Sequence, residues 1–156
     1  MVTNPDIDLL DAIDQRMAEQ TLDGFALEAI AQYYVMRTEY DMPPDFGTAF
    51  PACRVRMLPI TGDVVSIPAC MTRYQCPVEW QVYTAQAGRY RQKTAAELIN
   101  LIHEVFWQNH LGQSNLLIHF TSKDFSLPTD IEFAERLNGG ASLVYTYEYT
   151  DTRSLP

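Results

Sequence analysis

Apolar positions recur along this chain with two periods, and the switch between them marks out its elements. Ile7, Leu10, Ile13 and Met17 fall three or four residues apart while Asp8, Asp11 and Asp14 point elsewhere, the pattern of a helix with one buried stripe. Asn4 before Pro5 offers an N-cap and a first-turn proline, and Asp6 and Asp8 then face the positive end of the helix dipole. The spacing predicts a helix over about residues 5–20, ended by Thr21 to Gly24. Ala26 to Met36 reads as helix or as a first strand, with Tyr33, Tyr34, Val35 and Thr38 favouring the strand. Pro43, Pro44 and Gly47 make a loop, so 22–50 is the loosely defined part of the chain.

From Cys53 the period is two. Cys53, Val55 and Met57 alternate with Arg54 and Arg56, Thr61-Gly62-Asp63 reads as a turn, and another strand-like run begins at Val64. Pro68 and Pro77 cannot donate to a ladder and mark an edge, a bulge or an interruption. The clearest strand is 78–83, with Val78, Trp80 and Val82 on one face and Glu79 and Gln81 on the other, which predicts an antiparallel sheet with one wet face.

The helical period returns at Thr94-Ala-Ala-Glu97, a capping box opening an apolar run that stops before Gly112. On a helix over 94–111, Glu97, Asn100, Glu104 and Gln108 form one narrow polar stripe, while Ala95, Leu98, Ile99, Leu101, Ile102, Val105 and Phe106 cover much of the rest. So wide an apolar arc calls for more than one neighbour, and a sheet on one side with another subunit on the other would satisfy it. Leu116 to Phe120 and Ile131 to Phe133 follow as strand segments. A turn at Asn138-Gly139-Gly140 leads into Leu143, Tyr145, Tyr147 and Tyr149, which alternate with Val144, Thr146 and Glu148 as a strand with a tyrosine-rich face. Residues 150–156 read as a loose tail. The architecture expected is α+β, a mostly antiparallel sheet with an N-terminal helix and a second helix packed across the sheet.

Composition narrows the class. A chain of 156 residues fits one domain, 1–156, and 47% hydrophobic with 20% charged residues is the balance of a folded globule. No stretch approaches the ~20 apolar residues of a membrane helix, and Asp6, Asp8 and Asp11 stand where a secretory signal is basic and then apolar, so no membrane association is expected and a cytoplasmic origin is. Cys53, Cys70 and Cys76 lack CxxC spacing and read as reduced, mostly buried thiols. The net charge of −9 is uneven: residues 1–50 carry ten acids against Arg16 and Arg37, whereas 51–100 carry three acids against six bases. A basic band in an acidic body repels nucleic acid at long range, which argues against a sequence reader of DNA.

Candidate chemistry is sparse. His103-Glu104 and His110 lack the HExxH pattern of a zinc helix, and no cofactor, metal or catalytic residue is expected. Gly88-Arg89-Tyr90-Arg91-Gln92-Lys93 concentrates positive charge, reading as a solvated loop or as a contact for an acidic partner or for passing DNA. Tyrosines on the last strand read as core or as interface, since the ring buries area while its hydroxyl stays paired. The partner-interface candidates are Arg89, Arg91, Lys93, Tyr145, Tyr147 and Trp107.

In the order of these elements the chain resembles the tail-terminator (tail-completion, or minor tail) proteins of long-tailed bacteriophages. The acidic helix Asp6 to Gln20, the segments Cys53–Met57 and Val78–Tyr83, the helix Thr94–Leu111 across them, and Leu116–Phe120 with Leu143–Tyr149 closing the sheet carry the resemblance, over about two-thirds of the chain. Residues 22–50 exceed that pattern. The resemblance implies a non-catalytic virion protein made in the host cytoplasm that forms a ring, commonly a hexamer, at the head-proximal end of the tail tube. Its partners would be itself, the tail tube protein and a neck or connector protein, with genomic DNA passing through unrecognised. The rivals are a small soluble enzyme with a site at His103, Glu104 and a cysteine, and a free-standing adaptor domain.

Overall fold

The structure is a computed structural model that describes residues 5–22, 27, 30, 32–36, 51–66, 71–84, 91–112, 116–125 and 139–152. The elements run α1 (Pro5–Leu22), β1 (Gln32–Met36), β2 (Ala52–Met57), β3 (Thr61–Ser66), β4 (Met71–Thr84), α2 (Arg91–Phe106), β5 (Leu117–Asp124) and β6 (Gly139–Thr152). The strands form one sheet in the order β1-β2-β4-β6-β5, with β3 pairing β4 off that path. Only β1–β2 is parallel among these pairs; the others are antiparallel. The fold is α+β, mostly antiparallel, with the N-terminal helix and second helix that the periodicity predicts.

Alternation builds the core. Cys53 and Val55 on β2, Cys76, Val78, Trp80 and Val82 on β4, and Leu143, Tyr145 and Tyr147 on β6 lie in register across one face. They share a buried cluster with Leu9, Ile13 and Met17 of α1 and with Ala95, Leu98, Ile99, Ile102 and Phe106 of α2. Trp80 ties the layers together, its ring centroid 4.7 Å from Phe106 and 5.9 Å from Tyr145. Both helices therefore press on the same face, and Arg16 Nη2 of α1 donates to the Val105 carbonyl near the end of α2 at 3.4 Å. The wide apolar arc of α2 is covered from within the chain: Leu101 and Val105, its flank, are half-buried and packed against this cluster. A second subunit is not needed for that purpose.

Several boundaries differ from the sequence pattern for physical reasons. Helix α2 begins at Arg91, so Thr94 lies inside its first turns and is not the N-cap of a box. It ends at Phe106 rather than 111, because Gln108 (φ 51°) and Leu111 (φ 52°) take left-handed conformations and Asn109 Oδ1 accepts from Leu111 N at 2.8 Å. Thr61-Gly62-Asp63 is strand, not turn: it pairs with Gln75, Tyr74 and Arg73, and because β2 and β3 both run antiparallel to β4, Leu58 to Ile60 carry the chain onward along β4 without reversing it. Gly62 suits this place because a Cβ there would meet the Tyr74 ring at 3.3 Å. Pro77 marks an interruption, as its missing donor implies. It falls where the neighbour of β4 changes from β3, last paired at Gln75, to β2, first paired at Val78. Gly139 and Gly140 open β6 itself, and Thr150 to Thr152 extend it against Met71 to Arg73 rather than fraying. The expectations for Asn4, most of 22–50, Pro68, Cys70, 131–133, Asn138 and 153–156 lie outside the described residues.

The second face of the sheet is not uniformly wet. At one end Arg54 and Gln81 are buried, with Gln81 Oε1 accepting from Arg54 Nε at 2.7 Å, from Arg54 Nη2, and from the Tyr83 hydroxyl at 2.5 Å. Towards the other end the face is lined by ion pairs, Arg56–Glu79 at 2.7 Å and Arg73–Glu148 at 3.1 Å.

Candidate interaction surface

Among the described residues strand β5 is the outer strand of the sheet beyond β6, and side chains along it alternate poorly between buried and exposed. Its register slips between Phe120 and Ser122, a bulge that leaves Thr121 as the extra residue, its hydroxyl 2.7 Å from that of Thr146. Phe120 and Leu117 are half-exposed on this strand, Phe125 is half-exposed just after it, and Trp107 is half-exposed just after α2. Of the six large apolar side chains exposed among the described residues, these four lie on or beside this one strand, with Ile60 just before β3 and Val64 on it.

His103 joins two of them. Its ring lies 5.3 Å from Trp107 and 5.4 Å from Phe120, and stacks on Tyr145 at 5.6 Å. The Tyr145 hydroxyl is 2.6 Å from His103 Nδ1. The neutral ring accepts a hydrogen bond from the phenol at Nδ1, or donates from Nδ1 while the phenol turns to the His103 carbonyl 3.4 Å away. Burial lowers the His103 pKa, the Lys123 charge lowers it further, and Glu104 acts the other way. The same burial pushes the Tyr145 phenol up to about 12. Both groups are thus neutral near pH 7 and behave as a hydrogen-bonded aromatic platform. Lys123 Nζ donates to Asn100 Oδ1 at 2.7 Å, pinning β5 to α2 beside it.

The interface candidates read from sequence separate in space. Trp107 is exposed on this surface, while Tyr145 and Tyr147 are buried in the core, so the tyrosine-rich face looks inward. Tyr147 Oη, Trp80 Nε1 and Arg16 Nε are buried without a hydrogen-bond partner among the described residues. Lys93 is exposed, 3.8 Å from Glu97 one turn on, an arrangement worth little. Arg91 opens α2, but its side chain, like the whole of Arg89, lies outside the described residues. Three of the bases in the basic band are spent within the sheet, Arg54 on Gln81 and Arg56 and Arg73 on glutamates. Leu117, Phe120 and Phe125 were not singled out by sequence reasoning. Their signal is an apolar residue repeated beside Thr121, Ser122 and Lys123, and it becomes meaningful only once β5 is known to be outermost.

Other places hold less chemistry. A cleft of about 450 Å³ between α1 and the turn after α2 is lined by Ala12, Gln15, Arg16, Glu19, Asn109, Leu111 and Gly112, but Arg16 is turned onto Val105 and its orphan Nε is sealed from solvent. His110 is spent on the Leu116 carbonyl, 2.7 Å from Nδ1. Cys53 and Cys76 are buried, and burial pushes the Cys53 thiol up to about 12. Among the described residues no three His, Cys, Asp or Glu side chains are grouped so as to hold a metal ion, and no helix is long and apolar enough to cross a membrane. No family model matches the chain, and no curated protein matches it.

Proposed function

We propose that this chain is a structural subunit of a phage virion, a tail terminator that assembles into a ring at the head-proximal end of a tail tube. The observation that carries the reading is the exposed strand β5, with Phe120 and the adjacent Trp107 on the helix-covered side, Leu117 on the opposite face and Phe125 just beyond, an apolar edge suited to a protein partner. The element order supports it: an acidic first helix and a second helix lie together on one face of a mostly antiparallel sheet. In this reading the mechanism is geometric. Docking of the ring ends tube polymerisation and offers a surface to the neck, and an acidic body, at net charge −9, does not retain DNA passing through.

The enzyme reading built on His103, Glu104 and a cysteine draws less support. A buried thiol pushed up to about 12 withholds its thiolate, and His103 Nδ1 is occupied by Tyr145. The test is co-sedimentation of the full chain with purified tail tubes, with tube length scored by electron microscopy. Binding at one tube end, with tubes of uniform length, is the expected result. Failure to bind or to limit length overturns the proposal.

A further inference from the structure

Resting on that reading, we propose that neighbouring subunits join edge to edge, the outer edge of β3 on one copy pairing antiparallel with the outer edge of β5 on the next. The occupant of the β5 surface is then a second copy of this chain. Both edges lie open: Thr61, Gly62, Asp63 and Val64 are exposed on β3, Val64 at 63%, and His119 through Ser122 are exposed on β5. Among the described residues neither edge has a further strand beyond it. They border opposite sides of the sheet, because β3 pairs β4 on the side that β2 occupies further along and β5 lies beyond β6. Two unlike edges on opposite sides make a head-to-tail contact, and such contacts close into rings when the rotation allows. Unpaired strand edges supply the main-chain donors and acceptors for that join.

Side chains select one alignment. Gly62 and Val64 pair with Tyr74 and Thr72, and Ile118 and Phe120 with Tyr147 and Tyr145, so all four point to the helix-covered face. Setting Asp63 opposite His119 places Val64 opposite Ile118 and Phe120 over Gly62, whose bare backbone already admits the Tyr74 ring. Charge permits the alignment: β3 carries Asp63 and no base, and the position it faces on β5 is His119, with Lys123 and Asp124 further along that strand. A β3–β3 pairing would instead bring the Asp63 side chains of two copies together. The alignment keeps the helices of every copy on one side of a continuous sheet.

The test uses full chains carrying Asp63→Cys, His119→Cys, or both, oxidised mildly and run without reductant beside the unmodified chain, with native mass spectrometry in parallel. Directly opposed cross-strand positions are close enough for a disulfide. A ladder of covalent oligomers from the double variant, with neither single variant cross-linking, is the expected result. Dimers from His119→Cys alone would mean a two-fold β5 contact, dimers from Asp63→Cys alone a β3 contact, and either overturns the pairing. Oligomers in the mass spectrum without a ladder overturn the pairing and leave the ring standing; a monomer without a ladder that also leaves tail tubes unbound overturns both. Hydrogen exchange on the unmodified oligomer is a check free of mutation: slowed amides in both β3 and β5 are expected, and fast exchange in either contradicts the join.

Discussion

At the scale of single residues, His103 carries the clearest consequence. Its pKa in the folded chain lies below the ordinary 6.5, so the unfolded chain binds a proton more readily. The stability gained by keeping this ring neutral is complete above pH 6.5 and is lost as pH falls from there through the lowered folded value. His103→Phe removes the titration and keeps the ring contacts with Trp107, Phe120 and Tyr145. Thermal unfolding between pH 7.5 and about 5 should show a shallower fall in Tm for the variant than for the parent chain. Parallel curves would mean that His103 protonates without penalty. Gln108 gives a second test. It is exposed and held at φ 51°, a left-handed conformation that costs an L-residue about 1 kcal/mol and glycine almost nothing. Gln108→Gly should raise the stability measured by urea unfolding by up to about 1 kcal/mol, and a loss instead would point to a side-chain role not visible at this turn.

Among the elements, α2 is held by Trp80 more than by its own ends. Trp80 is fully buried between Phe106 and Tyr145, so Trp80→Ala should cost about 3–5 kcal/mol, a large part of the stability of a domain. Circular dichroism and urea unfolding would detect the loss; a change below about 1 kcal/mol would contradict the packing described. This is also the scale at which the sequence was most legible. The strand at 78–83 and the stripe Leu98, Ile99, Ile102 and Phe106 follow from period alone, because burial on one face leaves the same spacing in any sheet or helix. Ends were less legible. Thr94 and Glu97 match a capping box, yet the helix already runs from Arg91, since a local hydrogen-bond pattern competes with whatever precedes it. Gly62 resembled a turn residue because its real reason, room for the Tyr74 ring, is a contact across strands. The interaction surface was the least legible: Phe120 and Leu117 look like core residues until β5 is seen to be outermost.

For the whole molecule, the proposed association rests on charge and on strand edges. Within the basic band Arg56 and Arg73 are paired with glutamates and Arg54 is held by Gln81, which leaves Arg89, Arg91 and Lys93 as the cluster whose removal tests a charged docking rim. Replacing the three by Ser should slow association with tail components and weaken its salt dependence, read as attachment of heads at low and high salt. Normal attachment at both would assign the cluster to a solvated helix start. The exposed apolar residues around β5 make a stronger demand: Trp107 and Phe120 beside the helix-covered face, Leu117 on the other face and Phe125 just beyond the strand are all half-exposed, and the proposed association would bury them. The most direct measurement of the central claim is native mass spectrometry of the full chain, alone and after incubation with tail tubes. A closed oligomer of one stoichiometry, on its own or bound at the tube end, is the predicted result. A monomer that also leaves tail tubes unbound would contradict the account.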